Sequence, residues 1–474
     1  MLFNSFEFFL FLPLVFALYW FVLNRSLKWQ NALILVASYF FYGWWSWAFM
    51  GLLMLSTALD YAYGFWVASP DRKKAKLFLW LSIINNLGIL AVFKYYNFFA
   101  LQFQEGLELL GLQTNPVLLQ VALPIGISFY TFHGMSYVFD IYRGQQKPVR
   151  NFVDYAVFVS FFPLLVAGPI ERANHLLPQV QKARTFNYQQ ALEGCRLILW
   201  GLFKKVVIAD TLAGIVDQIY QNPAELNSFS LILGAIGFSF QIYGDFSGYS
   251  DIALGTAKLF GFELLSNFKF PYFSRDLAEF WRRWHISLSS WFRDYLYIPL
   301  GGSKNGKAKA IRNTFIIFLV SGFWHGASWN FIVWGLIHAC GFLPLLLLNK
   351  NRQHTTDVVA QDRMLPTWKE LFQLLSTFTF VTFAWVFFRA ETLSDAALYL
   401  QTLCTKFNTS GGIQGTSVVA WGALLLLLDW YLRHNERSLR VPAQRILRNG
   451  IYFVFALAVL LKLGSHQSFI YFQF

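Results

Sequence analysis

The segment Ser-Gly-Phe-Trp-His-Gly, residues 321–326, lies inside a long apolar stretch and contains a histidine, His325. Arg312 and Asn313 close a basic loop just before this stretch, which continues to Leu348. At about 1.5 Å per helical residue, His325 lies roughly 18–20 Å from the loop, near the centre of a bilayer about 30 Å thick. An ionisable side chain at that depth costs several kcal/mol unless it has a partner or a water-filled cavity. His325 is therefore either a neutral histidine hydrogen-bonded between helices or part of a functional site.

The composition identifies the class of protein. Of the 474 residues, 56% are hydrophobic and 13% are charged, and the mean hydropathy is +0.44. A soluble domain of this size would carry roughly twice that charged fraction. The apolar segments are too many and too long for one signal peptide, and the first lacks a basic region and a cleavage site. We predict an all-α, polytopic membrane protein that forms a single membrane domain over residues 1–474.

The net charge of +13 reflects basic residues in short loops between apolar spans. The positive-inside rule explains most of them, so the charge does not indicate nucleic acid. The same rule places the N-terminus outside, and residues 71–76 and 263–312 on the cytoplasmic side. The three cysteines, Cys195, Cys340 and Cys404, lie too far apart for disulfide or metal-ligand spacing. We expect them to be packing residues.

Apolar periodicity and turn signals predict 11 to 13 helical elements. A hairpin of two spans is expected at 31–68, with its turn near Gly43. The segment from Phe152 to Ala167 is short for a full crossing and is followed by Gly-Pro, which favours a re-entrant element. Two spans are also expected within 314–348. The predicted apolar segments are 6–23, 31–68, 77–101, 118–142, 152–167, 192–220, 229–262, 314–348, 371–388, 418–432 and 451–463.

The segment 280–295 alternates tryptophans with arginines and contains a second histidine, His285. An amphipathic helix at the membrane interface explains this composition, because both residue types favour the headgroup zone. It leaves His285 and several serines unexplained. Arginine forks bind phosphate, and tryptophan faces suit an adenine ring or an acyl chain, so the segment could recognise a phosphorylated donor. The candidate donor contacts are Arg282, Arg283, Arg293 and Trp284.

Two carboxylates, Asp245 and Asp251, lie inside the apolar span 229–262 and need partners, such as these arginines, or a polar cavity. Because they are six residues apart, they fall on different helix faces, which disfavours a pair that shares a proton. A structural hydrogen-bonding role for the two carboxylates is at least as well favoured as a catalytic role. His338 follows His325 by 13 positions, roughly 220° around a helix, so the two do not share a face. No carboxylate follows His325 at helical spacing, so we predict no metal site. His133 lies in a segment of small and aromatic residues that favours helix packing.

At these residues the chain resembles the membrane-bound O-acyltransferase family. Within that family it is most similar to the bacterial branch that acetylates alginate or peptidoglycan, or transfers D-alanine to teichoic acid. The resemblance rests on residues 241–251, 280–302 and 321–330, in that order, and extends from Met1 to about Arg389. It identifies His325 with the family's invariant histidine and His285 with its second, cytoplasmic-side histidine. It implies a core at about residues 120–390, with short or re-entrant helices around a central funnel.

The resemblance implies an O-acetyltransferase of the bacterial inner membrane. The acyl group, most simply acetyl from acetyl-CoA, would enter from the cytoplasm and pass to an extracytoplasmic polysaccharide such as alginate, with a periplasmic or surface partner protein. No permanently bound cofactor is expected, because a thioester needs only an activated nucleophile, and His325 would act as a general base. Peptidoglycan O-acetylation and teichoic-acid D-alanylation stay open. A polar-solute transporter is the alternative of a different class, although transporters commonly contain paired repeats and this sequence has none.

Overall fold

The computed structural model describes residues 1–120, 122–166, 168–304, 306–408, 412–439, 441–464 and 469–470. Throughout these ranges the regular structure is helical, which confirms the all-α prediction. The chain separates into two compact units. Unit 1 comprises residues 1–195 and 253–265, and unit 2 comprises 196–252 and 266–474.

Unit 1 contains the N-terminal helices. They are α1 (Phe6–Ala17), α2 (Leu27–Gly43), α3 (Trp47–Val67), α4 (Arg72–Leu90), α5 (Tyr96–Leu109), α6 (Ile127–Tyr142), α7 (Phe152–Ser160), α8 (Phe162–Leu165) and α9 (Ala173–Gln181), with π-helical turns at Leu18–Val22 and Ala91–Tyr95. The hairpin predicted at 31–68 is the pair α2 and α3, which turns just after Gly43. The segment predicted at 152–167 consists of the two short helices α7 and α8, and its last residue, Ala167, lies outside the described residues.

Helices of unit 1 pack around a buried carboxylate. Asp60 of α3 accepts hydrogen bonds from Ser82 Oγ (3.0 Å) and Asn86 Nδ2 (2.8 Å), both on α4. A Cβ atom at Gly134 of α6 would lie 2.0 Å from Asp60 Oδ2, so only glycine fits there. Because buried polar groups are stable only when they are hydrogen-bonded, Asp60 fixes how α4 and α6 meet α3.

Unit 2 contains the remaining helices, and α10 and α12 contribute residues to both units. They are α10 (Tyr188–Leu202), α11 (Asp210–Gln221), α12 (Ser228–Leu259), α13 (Leu277–Arg283), α14 (Ile286–Phe292), α15 (Lys307–His325), α16 (Trp329–Leu347), α17 (Trp368–Arg389), α18 (Leu393–Thr405), α19 (Ser417–Leu432) and α20 (Arg445–Lys462). π-Helical turns occupy Phe203–Ala209 and Arg293–Tyr297, and 3-10 turns occupy Pro223–Glu225 and Pro271–Phe273.

Five helical segments in the described part of the chain are long and apolar enough to cross a membrane: Trp47–Val67, Arg72–Leu109, Ser228–Leu259, Trp329–Leu347 and Trp368–Arg389. The protein is therefore a multi-pass membrane protein. The described residues form twenty α-helices, more than the 11 to 13 elements predicted, because π turns and short helices divide several expected spans. In α12, 78% of the most apolar stretch is buried within the protein, against 28% in α3. Protein neighbours rather than lipid therefore surround most of α12.

Side-chain caps set several helix boundaries. Ser46 accepts from the Phe49 N–H at the start of α3, and Asp71 accepts from the Lys73 N–H at the start of α4. Thr367 and Glu370 form a reciprocal capping box that begins α17. Such caps replace hydrogen bonds that the first helical turn lacks.

Two glycines let α15 and α16 approach each other closely. A Cβ atom at Gly322 would lie 2.2 Å from the carbonyl oxygen of Phe331, and one at Gly335 would lie 2.3 Å from that of Phe318. A side chain at either position would force the helices apart. Gly322, three residues before His325, therefore serves close helix packing. This contact fixes the register of the two helices that carry His325 and His338.

Candidate active site

His325 is the last residue of α15 and is buried, with 5% of its surface exposed. The helix ends there because Gly326 adopts an extended conformation. The imidazole packs against the rings of Trp324, Trp334 and Phe388, with centroids 4.9, 5.1 and 5.2 Å away. His325 therefore lies at a helix end inside an aromatic enclosure of unit 2.

His285 connects α13 to α14 and adopts a left-handed conformation, with φ of 42°. That conformation is uncommon for a residue with a side chain. Asn267 helps to hold it, because its carbonyl oxygen accepts from the Ile286 N–H at 2.9 Å. The His285 side chain is buried, and its ring lies 4.6 Å from that of Phe246. It therefore does not face solvent, as a residue on the polar face of a surface helix would. No sequence signal had singled out Asn267.

Trp324 brings the two predicted histidines into one neighbourhood. Its ring lies 5.9 Å from that of His285 and 4.9 Å from that of His325. The two histidines are 40 positions apart in the sequence, and short helices rather than one continuous helix bring them together. Unit 2 thus places two imidazoles around one indole.

A cavity of about 240 Å³ lies in the same unit. It is lined by Trp281, Ser289, Phe292, Arg293, Tyr297, Thr314, Ile317, Phe318, Ser321, Phe342, Leu346, Asn351 and Arg352. On α15 the lining positions Thr314, Phe318 and Ser321 recur at helical spacing, and the next position on that face is His325. Since four helical residues rise about 6 Å, His325 lies one turn beyond the innermost lining residue of α15.

Arg293 lines this cavity, alone among the four predicted donor contacts. Its side chain is 63% exposed and contacts Asp294, with 2.7 Å between Nε and Oδ1. Arg352, which the sequence had not singled out, lines the same cavity. Arg293 and Arg352 therefore give the cavity two basic groups.

The other three candidates contact the chain itself. Arg282 donates to the carbonyl oxygens of His354 (3.1 Å) and Asn351 (3.0 Å). Arg283 pairs with the buried Glu279 at 2.8 Å, a partner set by helical i, i+4 spacing. Trp284 is 1% exposed and stacks on other rings of the core.

Asp357 ties the segment after α16 to this part of the protein. Its carboxylate contacts Arg275 at 2.8 Å, and its carbonyl oxygen accepts from Arg283 at 2.9 Å. Burial alone would raise the pKa of Asp357, but the hydrogen bond and charge of Arg275 lower it below the ordinary value of 3.8. Asp357 is therefore ionised at neutral pH and acts as a structural partner.

The two carboxylates of α12 have lysines rather than arginines as partners, so the arginine pairing suggested by the sequence is wrong. Lys205 contacts Asp245 at 2.7 Å and Asp210 at 2.8 Å, while Lys204 contacts Asp251 at 2.8 Å. All five side chains belong to unit 2, and we call them the lysine–aspartate cluster. The adjacent lysines inside an apolar span were the sequence signal for these pairs.

His133 lies in unit 1 and serves packing there. Its Nε2 atom accepts the backbone N–H of Glu171 at 3.0 Å, and its ring lies 5.7 Å from that of Phe158. Across the described residues, no group of three histidine, cysteine or acidic side chains could hold a metal ion.

Comparison with known proteins agrees with the resemblance. A sequence profile of the membrane-bound O-acyltransferase family matches residues 33–375. The chain is 38% identical to the protein named "Probable alginate O-acetylase AlgI" of Pseudomonas putida, with all of both chains covered. It is 35% identical to the peptidoglycan O-acetyltransferase of Helicobacter pylori, over 85% of this chain and 79% of that one. It is 30% identical to the teichoic acid D-alanyltransferase of Bacillus subtilis, over 56% and 69%.

Proposed function

Because the chain belongs to the membrane-bound O-acyltransferase family and is an acyltransferase, we propose that it passes acetyl groups from acetyl-CoA towards an extracytoplasmic polysaccharide such as alginate. The observation that carries this proposal is the cavity whose α15 face leads to His325. Acetyl transfer rather than D-alanylation is proposed because the acetylating relatives are similar over more of the chain.

The donor enters from the cytoplasmic side of the bacterial inner membrane, with the N-terminus outside. Residues 263–312 and 349–369 flank the cavity and are rich in lysine and arginine, which the positive-inside rule assigns to the cytoplasm. Arg293 and Arg352 contact the phosphates of acetyl-CoA at the cavity mouth, since guanidinium groups bind phosphate well. Arg282, Arg283 and Trp284 support this region structurally.

His325 acts as the general base. The imidazole takes the proton of the attacking hydroxyl as its oxygen bonds to the thioester carbonyl carbon. Collapse of the tetrahedral intermediate then breaks the carbon–sulfur bond, and the leaving thiolate takes the proton from the imidazolium. His285, which shares Trp324 as a neighbour, helps to orient the reacting groups. General-base catalysis of this kind contributes about 10²–10⁴-fold.

The hydroxyl belongs to the polysaccharide or to a periplasmic or surface acetyltransferase partner that completes the transfer. The test uses the full chain in liposomes with acetyl-CoA labelled in the acetyl group. Release of free thiol and label on added alginate oligosaccharide are followed for wild type and His325→Ala. We expect thiol release that depends on His325. Equal release by the two proteins would overturn the proposed role, and no release by wild type would favour the transporter.

Parallel reactions with peptidoglycan fragments and with a D-alanyl thioester compare the acceptors and the acyl groups. Transfer only to peptidoglycan fragments, or only of D-alanine, would replace alginate acetylation by the corresponding reaction. Label found on an added partner protein, rather than on the oligosaccharide, would indicate that the acetyl group reaches the polysaccharide through the partner.

A further inference from the structure

His338 is a third histidine of unit 2, and the proposed chemistry does not use it. It lies on α16 and is fully buried. Its ring lies 4.9 Å from that of Trp281 and 4.8 Å from that of Trp334, and the two indoles lie 5.7 Å apart. The three rings therefore form one contact cluster, which we call the imidazole–indole cluster.

The polar atoms of this cluster lack partners within the described part of the chain. Both ring nitrogens of His338 and the Nε1 atoms of Trp281 and Trp334 are buried and make no hydrogen bond there. Other neighbours of His338 are phenylalanines, such as Phe318 and Phe380, with centroids 6.2 and 5.9 Å away. A buried polar group without a hydrogen bond costs about 1–3 kcal/mol. Four such atoms in contacting rings are therefore expensive.

Ring contacts do not remove this cost. An N–H pointing at an aromatic face gains a weak interaction, which could serve the two indoles. A neutral imidazole, however, also carries a nitrogen with a lone pair, and an aromatic face offers it no donor. The cluster is therefore suited to a group that both accepts and donates a hydrogen bond.

The cluster lies between the cavity and His325. Trp281 lines the cavity directly. Phe318 also lines the cavity, and His338 on α16 contacts this residue, with ring centroids 6.2 Å apart. Trp334 in turn contacts His325, with centroids 5.1 Å apart. A chain-like ligand that extends from the cavity to His325 has to open a path beside this cluster, because Trp281 lines the cavity whereas His338 and Trp334 are buried behind it.

We propose that the imidazole–indole cluster binds an amide of the pantetheine arm of the thioester donor. The amide oxygen accepts from an indole N–H, and the amide N–H donates to the lone pair of His338. This inference rests on the proposed function, because it requires a pantetheine thioester as the donor. His338 is then a donor-binding residue that sets how far the thioester advances towards His325.

The test compares two donors on the full chain in liposomes. Acetyl-CoA carries the amides, whereas the acetyl thioester of 2-mercaptoethanol has none. His338→Phe removes both nitrogens, and His338→Gln retains one donor and one acceptor. We expect His338→Phe to lower kcat/KM for acetyl-CoA about tenfold, equivalent to about 1.4 kcal/mol. The same variant should leave the short thioester unaffected, and Gln should restore part of the loss.

Trp281→Phe removes a single indole N–H. The same two-donor comparison on this variant tests the inference if the His338 variants do not fold. This variant should also reduce turnover of acetyl-CoA selectively. Equal losses for both donors, or none for acetyl-CoA, would overturn the inference. If wild type cleaves acetyl-CoA, and the variants prefer it over the short thioester as strongly as wild type does, only this inference fails. If wild type cleaves neither thioester, the proposed function fails as well.

Discussion

Two buried polar regions of unit 2 satisfy their polar atoms in different ways. In the lysine–aspartate cluster, the chain supplies an opposite charge for Asp210, Asp245 and Asp251 at 2.7–2.8 Å. In the imidazole–indole cluster, Trp281, Trp334 and His338 bring together nitrogens that have no hydrogen-bond partner in the described ranges. In the first region every carboxylate has a cation as partner, although Asp210 Oδ2 makes no hydrogen bond in the described ranges. In the second region none of the four ring nitrogens has a partner there.

The difference separates a structural role from a functional one. Paired charges hold α12 to the π-helical turn at Phe203–Ala209, and Phe246 between them packs on His285. Substitutions in the lysine–aspartate cluster should therefore affect folding first. Substitutions in the imidazole–indole cluster should affect turnover first, because its ring nitrogens hold no structural hydrogen bond in the described ranges and so need another explanation.

The largest effect on activity is expected for His325→Ala. The variant should lose about 10²–10⁴-fold in thioester cleavage, because the general base is removed. Its yield and thermal midpoint should stay close to those of wild type. Measured acetylation at the wild-type level would contradict the functional reading of this region, and a loss of folded protein without a catalytic defect would make His325 a packing residue.

The largest effect on stability is expected for Lys205→Met. It would leave Asp245 and Asp210 buried without their cation, at a cost of about 3–5 kcal/mol. Yield after detergent extraction and the thermal midpoint measure this loss. Lys204→Met is the matched variant, and its loss should be smaller because it strands only Asp251. If both lysines tolerate Met with unchanged stability, the contrast between the two regions fails.

A smaller effect on activity distinguishes two arginines. Arg293→Gln should raise the KM for acetyl-CoA by about tenfold, as expected for a hydrogen bond to a charged group, and leave the thermal midpoint unchanged. Arg283→Gln should instead lower the midpoint, because the buried Glu279 loses one of its two arginine partners and keeps only Arg275. Arginine-to-lysine variants keep the charge but lose the fork and serve as controls. The opposite pattern would place the phosphates at Arg283.

The smallest effect concerns pH. The pKa of Asp357 lies below 3.8, so its contact with Arg275 stabilises the fold above that pH and is lost as the pH falls through the folded pKa. Asp357→Asn should therefore unfold at a lower temperature than wild type at neutral pH. The gap should close in acid. It should be small, because the carboxylate is partly exposed and solvent screens it. A difference in unfolding temperature that persists in acid would contradict a stabilising ion pair between Asp357 and Arg275.

Much of the fold could be predicted from sequence, because membrane spans depend on local composition. The hairpin of α2 and α3 and the pair α15 and α16 follow from uninterrupted apolar runs and the turns between them. The division of 152–167 into α7 and α8, and the π turns, depend on packing that no local pattern records. The arginine pairing of Asp245 and Asp251 was wrong for the same reason. The sequence indicated that the two carboxylates need partners or a polar cavity, and only the fold selected the lysines.

The sequence by itself determined the all-helical membrane class and the family. It also made His325 the first candidate for a functional role, because burying an ionisable residue in an apolar span carries a cost that is visible without coordinates. Tertiary structure alone decided which groups meet. It brought His285 to Trp324 through a left-handed turn, assigned Arg283 to Glu279 and left Arg293 at the cavity. It also set His338 beside two indoles. His325 ends α15 and His338 lies on α16, so the continuous helix assumed for the two histidines is wrong. Contacts between distant residues depend on helix register, and here close glycine packing at Gly322 and Gly335 fixes that register.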